Sequence, residues 1–198
     1  MNRKRNRLIS FMVSFIISFA FVGAISNEVI RASADATYSV SVTPVIQSKT
    51  NWCWAACAEM AASVVSPSSY YYQYSIVKYI YGSPINATGS ITQSASGSEY
   101  ACNHIKSFTG VYSTLSFTDI CLELYFGCPV QAAAGYYNGG VRNGGHVVII
   151  IEAIAISGGS QFIKYIDPAN GYIYTCTYSQ FCDGSYNGRI YDQTAYEN

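Results

Sequence analysis

The chain has 198 residues, with 11 Lys/Arg against 11 Asp/Glu; half of its residues are apolar and only 11% are charged. So little charge on so apolar a chain excludes intrinsic disorder. From residue 35 onward, six Lys/Arg face ten Asp/Glu, a net charge of −4, which excludes the basic footprint of a nucleic-acid binder.

The N-terminus reads as a secretion signal. Arg3, Lys4, Arg5 and Arg7 precede an uncharged run of 18 residues, Leu8 to Ile25. Ala32-Ser33-Ala34 offers a small-x-small cleavage site, with Val22-Gly23-Ala24 as a second candidate. The expected division is a signal peptide at 1–34 and one domain at 35–198, long enough for a real core. Such a chain would be secreted, with no stable membrane association once the leader is removed. The alternative is an uncleaved anchor, because 18 residues just span a bilayer.

In chain order, Asn51 to Val65 is rich in alanine and small apolar residues and predicts a buried helix that Pro67 ends. Tyr71 to Tyr81 spaces Ile76, Val77, Ile80 and Tyr81 at helical intervals, with Gly82 as a stop. The Gly/Ser-rich stretch Ser83 to Glu99 reads as loop. Ala101 to Phe108 reads as a short helix. Asp119 to Phe126 reads as another, capped by Ser116 or Thr118 and ended by Gly127.

After Pro129 the character changes. Val130 to Tyr137 reads as a strand and Asn138 to Gly145 as a glycine-rich loop. His146 to Ile156 is a β-branched strand, and Ser157 to Ser160 a turn. Gln161 to Ile166 is the next strand, and Asn170-Gly171 turns the chain into Tyr172 to Tyr178. The nineteen tyrosines all lie beyond residue 34, a composition that suits sheet faces. Helices first and strands after predict an α+β fold, its N-terminal helical part packed on a C-terminal antiparallel sheet.

The chemistry centres on Cys53. At the start of a helix a thiol feels the positive end of the macrodipole and unpaired backbone N–H groups, which favour the nucleophilic thiolate. A thiolate of this kind needs a base, and the chain offers His104 and His146. His146 opens an apolar strand after Gly144-Gly145. Asp167 ends the following strand, and the Gly158-Gly159 turn lies near the midpoint between the two. A hairpin would therefore bring Asp167 to the second ring nitrogen of His146.

These residues carry a family resemblance. Gln47, five residues, then Cys53-Trp54-Ala55, followed later by Gly145-His146 and Asp167, resembles papain-like cysteine proteases. NWCWAAC, SIVKYIYG, Cys128-Pro129-Val130, GGHVVII and IDP follow one another in an order similar to the AvrRpt-type effector proteases of plant-pathogenic bacteria. Asp in place of papain's Asn is also similar to bacteriocin-leader peptidases. The likeness covers most of residues 45 to 180. It implies a papain-like fold and a catalytic set of Cys53 as nucleophile, His146 as base, Asp167 as orienter and Gln47, with the Cys53 N–H, as oxyanion donors. It implies a peptide or protein substrate and neither metal nor organic cofactor. The chain departs from the family in having only twelve residues between Ala34 and Gln47, where secreted papains carry a long prosegment. Its extra cysteines are also unlike an effector that acts in the cytosol.

Other readings stand beside this one. Cys53 would otherwise be a disulfide partner, and Cys53, Cys57, Cys102 and His104 would make a zinc set. His146 would be an ordinary strand-end histidine, Asp167 the cap of the turn after it, and Trp54 either core or a shield over the His–Asp pair. The rival functions are another acyl transfer on the same triad, such as transglutaminase-like crosslinking or cell-wall amide hydrolysis, and a catalytically silent surface-binding module. With Cys53 free, six cysteines remain in a secreted chain. The expected bridges are Cys57–Cys102, Cys121–Cys128 and Cys176–Cys182, one of 15 possible connectivities.

Overall fold

The structure, a computed structural model, describes residues 35–198; the expected leader at 1–34 lies outside them. A short strand β1 (Ala36–Ser39) precedes three helices, α1 (Cys53–Val65), α2 (Gln73–Tyr81) and α3 (Ile91–Ala101). Strand β2 (Phe108–Val111) and helix α4 (Phe117–Tyr125) follow. The strands β3 (Val130–Asn138), β4 (Val141–Ala155), β5 (Gln161–Asp167) and β6 (Tyr172–Thr177) lead to a short helix α5 (Tyr178–Asp183) and a last strand β7 (Ile190–Glu197). The described chain is thus mixed α/β, with five helices and one seven-stranded antiparallel sheet in the order β2-β7-β3-β4-β5-β6, and β1 also paired to β4.

Strand β4 organises the sheet because its two halves pair differently. Its first half lies against β3, with Val130 opposite Ile150 and Ala134 opposite His146. Its second half lies against β5 on one side and β1 on the other, Ala36 opposite Ala155. The β-branched run alternates across the sheet, as a period of two demands. Val147, Ile149 and Ile151 enter a core with α1, α2 and α3, whereas Val148 and Ile150 enter a second core with α4 and α5; beyond the register shift between Ile150 and Glu152 the alternation changes, and Ala153 joins the second core. Helices therefore cover both faces, rather than the N-terminal helices alone.

Helix α1 is buried on every side from Trp54 to Ala62. Its alanines let α3 and the sheet approach closely. Gly97 of α3 sits so near that a methyl group there would lie 2.8 Å from Ile76 and 3.5 Å from Ala58.

Several sequence expectations fail for identifiable reasons. Ser83 to Glu99 is not all loop: Ser90 and Gln93 form a capping box that starts α3. Its serines are there for packing. Ser94 and Ser98 are fully buried and hold Gln131 of β3, at 2.6 and 2.8 Å. The expected helix at Ala101 to Phe108 does not form, because Asn103 and His104 take left-handed backbone conformations and Phe108 opens β2. The glycine-rich loop shrinks to a two-residue turn at Gly139-Gly140, both with positive φ, and β4 resumes at Val141. Strands β1, β2 and β7 and helix α5 had no counterpart in the sequence reading. The helix capped by Ser116, whose side chain accepts the Asp119 N–H, agrees with it.

Replacing Gln131 by Ala opens a cavity between α3 and the sheet and strips hydrogen bonds from two buried serines. We expect a loss of about 2–4 kcal/mol. Urea unfolding of the variant checks it; an unchanged midpoint would contradict this packing.

Candidate active site

Cys53 is the first residue of α1, and the residue before it, Trp52, provides no side-chain cap. The first N–H groups of the helix thus remain available near the sulfur. The loop leading in is held rigidly. Asn86 accepts from the Asn51 N–H at 3.1 Å and donates to Thr50 Oγ1 at 2.9 Å, and the Trp52 indole donates to Ile85 O at 2.9 Å. On the other side, Gln73 accepts from Ser48 N–H at 2.8 Å and donates to Ile46 O at 3.1 Å. Gln73 is itself anchored, its N–H donating to the buried carboxylate of Glu59 on α1 at 3.1 Å.

His146 and Asp167 meet at 2.6 Å, His146 Nε2 to Asp167 Oδ1, with both side chains only 12% exposed. The last paired residues before them are Ile149 and Ile166. Extending that register puts Asp167 opposite Val148, two residues along from His146 and on the same face. The hairpin symmetry read from the sequence was therefore two residues off in register but right in face. The shift between Ile150 and Glu152 is what secures that face, because the register nearer the turn would have put Asp167 opposite Ile149.

The carboxylate has further partners. Oδ1 also accepts the Ala169 N–H at 2.8 Å, so Asp167 caps the following turn as well as holding the imidazole. Arg189 approaches Oδ2 at 3.8 Å. With Nε2 facing Asp167, the other ring nitrogen of His146 is left for the Cys53 sulfur.

The electrostatics separate Cys53 from five of the other thiols. Burial alone would push its thiol up, but the hydrogen bond and charge of His146, helped by the N–H groups of Val147 and Trp54, bring it below its ordinary range. Burial pushes up Cys57 and Cys182, and lifts Cys176 to about 11 and Cys121 and Cys128 to about 12. For His146 burial works downward, yet the bonds to Asp167 and then Cys53 raise it to about 9. The same bond to His146 outweighs burial at Asp167 and holds its carboxyl below the usual range. All three directions favour one state: thiolate, imidazolium and carboxylate in a row.

A cleft of about 510 Å³ opens over Cys53 and His146. Cys53, His146 and Gly145 line it together with Gly89, Tyr112 and Arg142. Gly89 is required there because any side chain would strike the Trp54 ring, 2.4 Å from where its Cβ would be. Trp54 is fully buried, packed edge-on to Tyr81 and donating to Ala87 O at 3.2 Å. It supports the cleft wall from the helical side, and the expected shield over the His–Asp pair is not its place.

Gln47 lies next to the Asp167 turn, its N–H donating to Pro168 O at 2.8 Å. Its side-chain amide is turned to its own loop, donating to Lys49 O at 2.9 Å and Thr50 O at 2.8 Å, while its oxygen is buried without a partner. The structure thus brings Cys53, His146 and Asp167 together and gives Gln47 an anchoring position beside them.

The zinc reading does not assemble: among the described residues no group of three or more His, Cys, Asp or Glu is arranged to hold a metal. His104 turns instead to Glu99, at 3.3 Å. All seven cysteines are free thiols, so the three expected bridges are not present in this structure. Cys57 Sγ donates to Val147 O at 3.4 Å, and Cys102 Sγ lies 3.3 Å from Glu99 O and 3.6 Å from Lys106 O.

The sequence reading missed Glu59, Gln73 and Asn86, which fix the Cys53 loop, and Arg142 and Arg189. Only the rarity of cations beyond residue 34 could have drawn attention to the arginines. No protein-family model matches the chain, and no curated protein matches it significantly.

The pH dependence of Cys53 reactivity follows from the sign of these shifts. His146 holds the thiolate, so alkylation of Cys53 by iodoacetamide should show its inflection below the ordinary thiol value of 9.0. In His146→Ala the stabilising charge is gone, burial remains, and the inflection should move upward. Mass-spectrometric alkylation rates across pH measure it; identical profiles would contradict the assignment.

Proposed function

We propose that this chain is a secreted cysteine peptidase of papain-like architecture, acting through Cys53, His146 and Asp167. The observation that carries the reading is the Cys53–His146–Asp167 row at the mouth of a cleft, with the only thiol whose pKa is resolved as lowered at its head. The papain-like assignment draws on a nucleophile at a helix start, a base on a long strand of an antiparallel sheet, and an orienter on the next strand.

In this reading the Cys53 thiolate attacks a substrate carbonyl lying in the cleft. The first N–H groups of α1 face the developing oxyanion and its charge. His146 then gives its proton to the leaving amine, and Asp167 stabilises the imidazolium and keeps Nε2 occupied. Water, deprotonated by the neutral His146, hydrolyses the acyl-thioenzyme. Gln47 joins as a second oxyanion donor when its amide leaves the Lys49 and Thr50 carbonyls. Its unsatisfied oxygen makes the resting position less costly to abandon than a fully bonded one. The net negative charge beyond residue 34 suits a peptide or protein substrate rather than nucleic acid, and the reading calls for no cofactor.

Peptide hydrolysis by purified variants tests this. Cys53→Ala and His146→Ala should each lower kcat/KM by at least about a thousandfold, with circular dichroism unchanged, and His104→Ala should remain active. An active Cys53→Ala, or a dead His104→Ala beside an active His146→Ala, would overturn it. Isopeptide products in place of a free carboxylate and amine would move the assignment to acyl transfer.

A further inference from the structure

Three adjacent strands carry unusual features at one place on the cleft. Arg142 on β4 reaches across β3 to Asp192 on β7, Nε to Oδ2 at 2.7 Å and a terminal nitrogen to Oδ1 at 3.4 Å. Tyr137 of β3 donates to the same carboxylate at 2.6 Å. The pair lies over two glycines that are cross-strand partners, Gly135 and Gly145. A methyl on Gly135 would sit 2.7 Å from both Arg142 Nε and Asp192 Oδ2; one on Gly145 would sit 2.3 Å from the guanidinium. Interior strand glycines weaken a sheet, so their placement here serves the ion pair above them.

Both neighbouring ladders are irregular at the same point. The β3–β7 register shifts between Ala133 and Ala134, leaving Asp192 without an opposite residue, and the β3–β4 register shifts between Gly135 and Tyr137. Bulges of this kind re-aim side chains beside functional sites. They turn Asp192 onto Arg142, and Arg142 lines the same cleft as Cys53 and His146. Among the described residues lining that cleft there is no Asp or Glu, and Arg142 is its one permanent cation. Asp192 takes two of the five guanidinium N–H groups and Tyr137 also bonds the guanidinium, which leaves up to two for a ligand.

We propose that Arg142, oriented by Asp192, is the specificity residue of the cleft and binds a substrate carboxylate, from an acidic side chain or a free C-terminus. This deepens the peptidase reading and rests on it. A held guanidinium loses little freedom on binding and matches a carboxylate in geometry as well as charge. Removing it would leave the Asp192 carboxylate without its partner next to the cleft, so the preference should vanish or reverse.

The test compares matched peptides. One pair differs by Glu or Gln within two positions of the scissile bond, and a second has a free or amidated C-terminus. The protein should favour the carboxylate member of at least one pair by about tenfold in kcat/KM; which pair responds identifies the source of the carboxylate. Arg142→Gln should abolish or reverse that ratio, and Arg142→Lys should keep it in reduced form, which covers the case where the glutamine variant does not fold. The same peptides are titrated calorimetrically onto Cys53→Ala protein, where no turnover is needed. Failure of every peptide to be cleaved counts against the peptidase reading, while the binding arm still decides this proposal. Equal binding within both pairs, no binding of any carboxylate peptide, or a preference unchanged in Arg142→Gln would overturn it.

Discussion

The hydrogen bond between His146 and Asp167 is the constraint on which the site depends. Two residues 21 apart in sequence can meet there only because β4 and β5 form an antiparallel hairpin whose register puts them on one face. The bond fixes which ring nitrogen is left for Cys53, and its charge raises His146 and lowers Asp167 together. Through His146 it also counteracts the burial that would otherwise leave Cys53 a neutral thiol. A one-residue slip of the hairpin would send Asp167 to the opposite face and dismantle all three effects at once.

The peptide unit of Val147 shows how closely the helix and sheet are joined at this point. Its N–H faces the sulfur of Cys53, and its carbonyl accepts from Cys57, one helical turn on. Two thiols four residues apart on one helix thus touch the same residue of β4 yet have opposite character. Cys57 is wholly enclosed, with the charges of Cys53 and Asp167 against its ionisation, so it stays protonated. Cys53 has the imidazolium. Position relative to one histidine, rather than burial, decides which of the two sulfurs is drawn toward the thiolate.

Much of this was legible in the sequence where local signals are strong. The β-branched run after His146, the Gly158-Gly159 turn and the alanine-rich stretch after Cys53 each announce their element, and together they juxtapose Cys53, His146 and Asp167. The signal fails where tertiary packing overrides composition. Ser94, Gly97 and Ser98 look like loop residues, but they belong to a helix because they face Gln131, Ile76 and Ala58 in tight quarters. Gly145 looks like a loop glycine, and Gly135 falls in an expected strand with no sign of its role, yet both lie inside strands to make room for Arg142 and Asp192. Strands β2 and β7 pair with each other across more than eighty residues, a contact that no local pattern encodes. The amide orientation of Gln47 depends on two carbonyls of its own loop and is equally invisible in one dimension.

The central claim is that one thiol of seven is held as a reactive thiolate by a neighbouring imidazolium. Titration of the purified protein with a papain-type epoxide inhibitor, followed by intact mass and peptide mapping, measures it most directly. The account predicts one equivalent incorporated, at Cys53, with loss of labelling in His146→Ala. Absence of labelling, or modification spread over several cysteines, would contradict it.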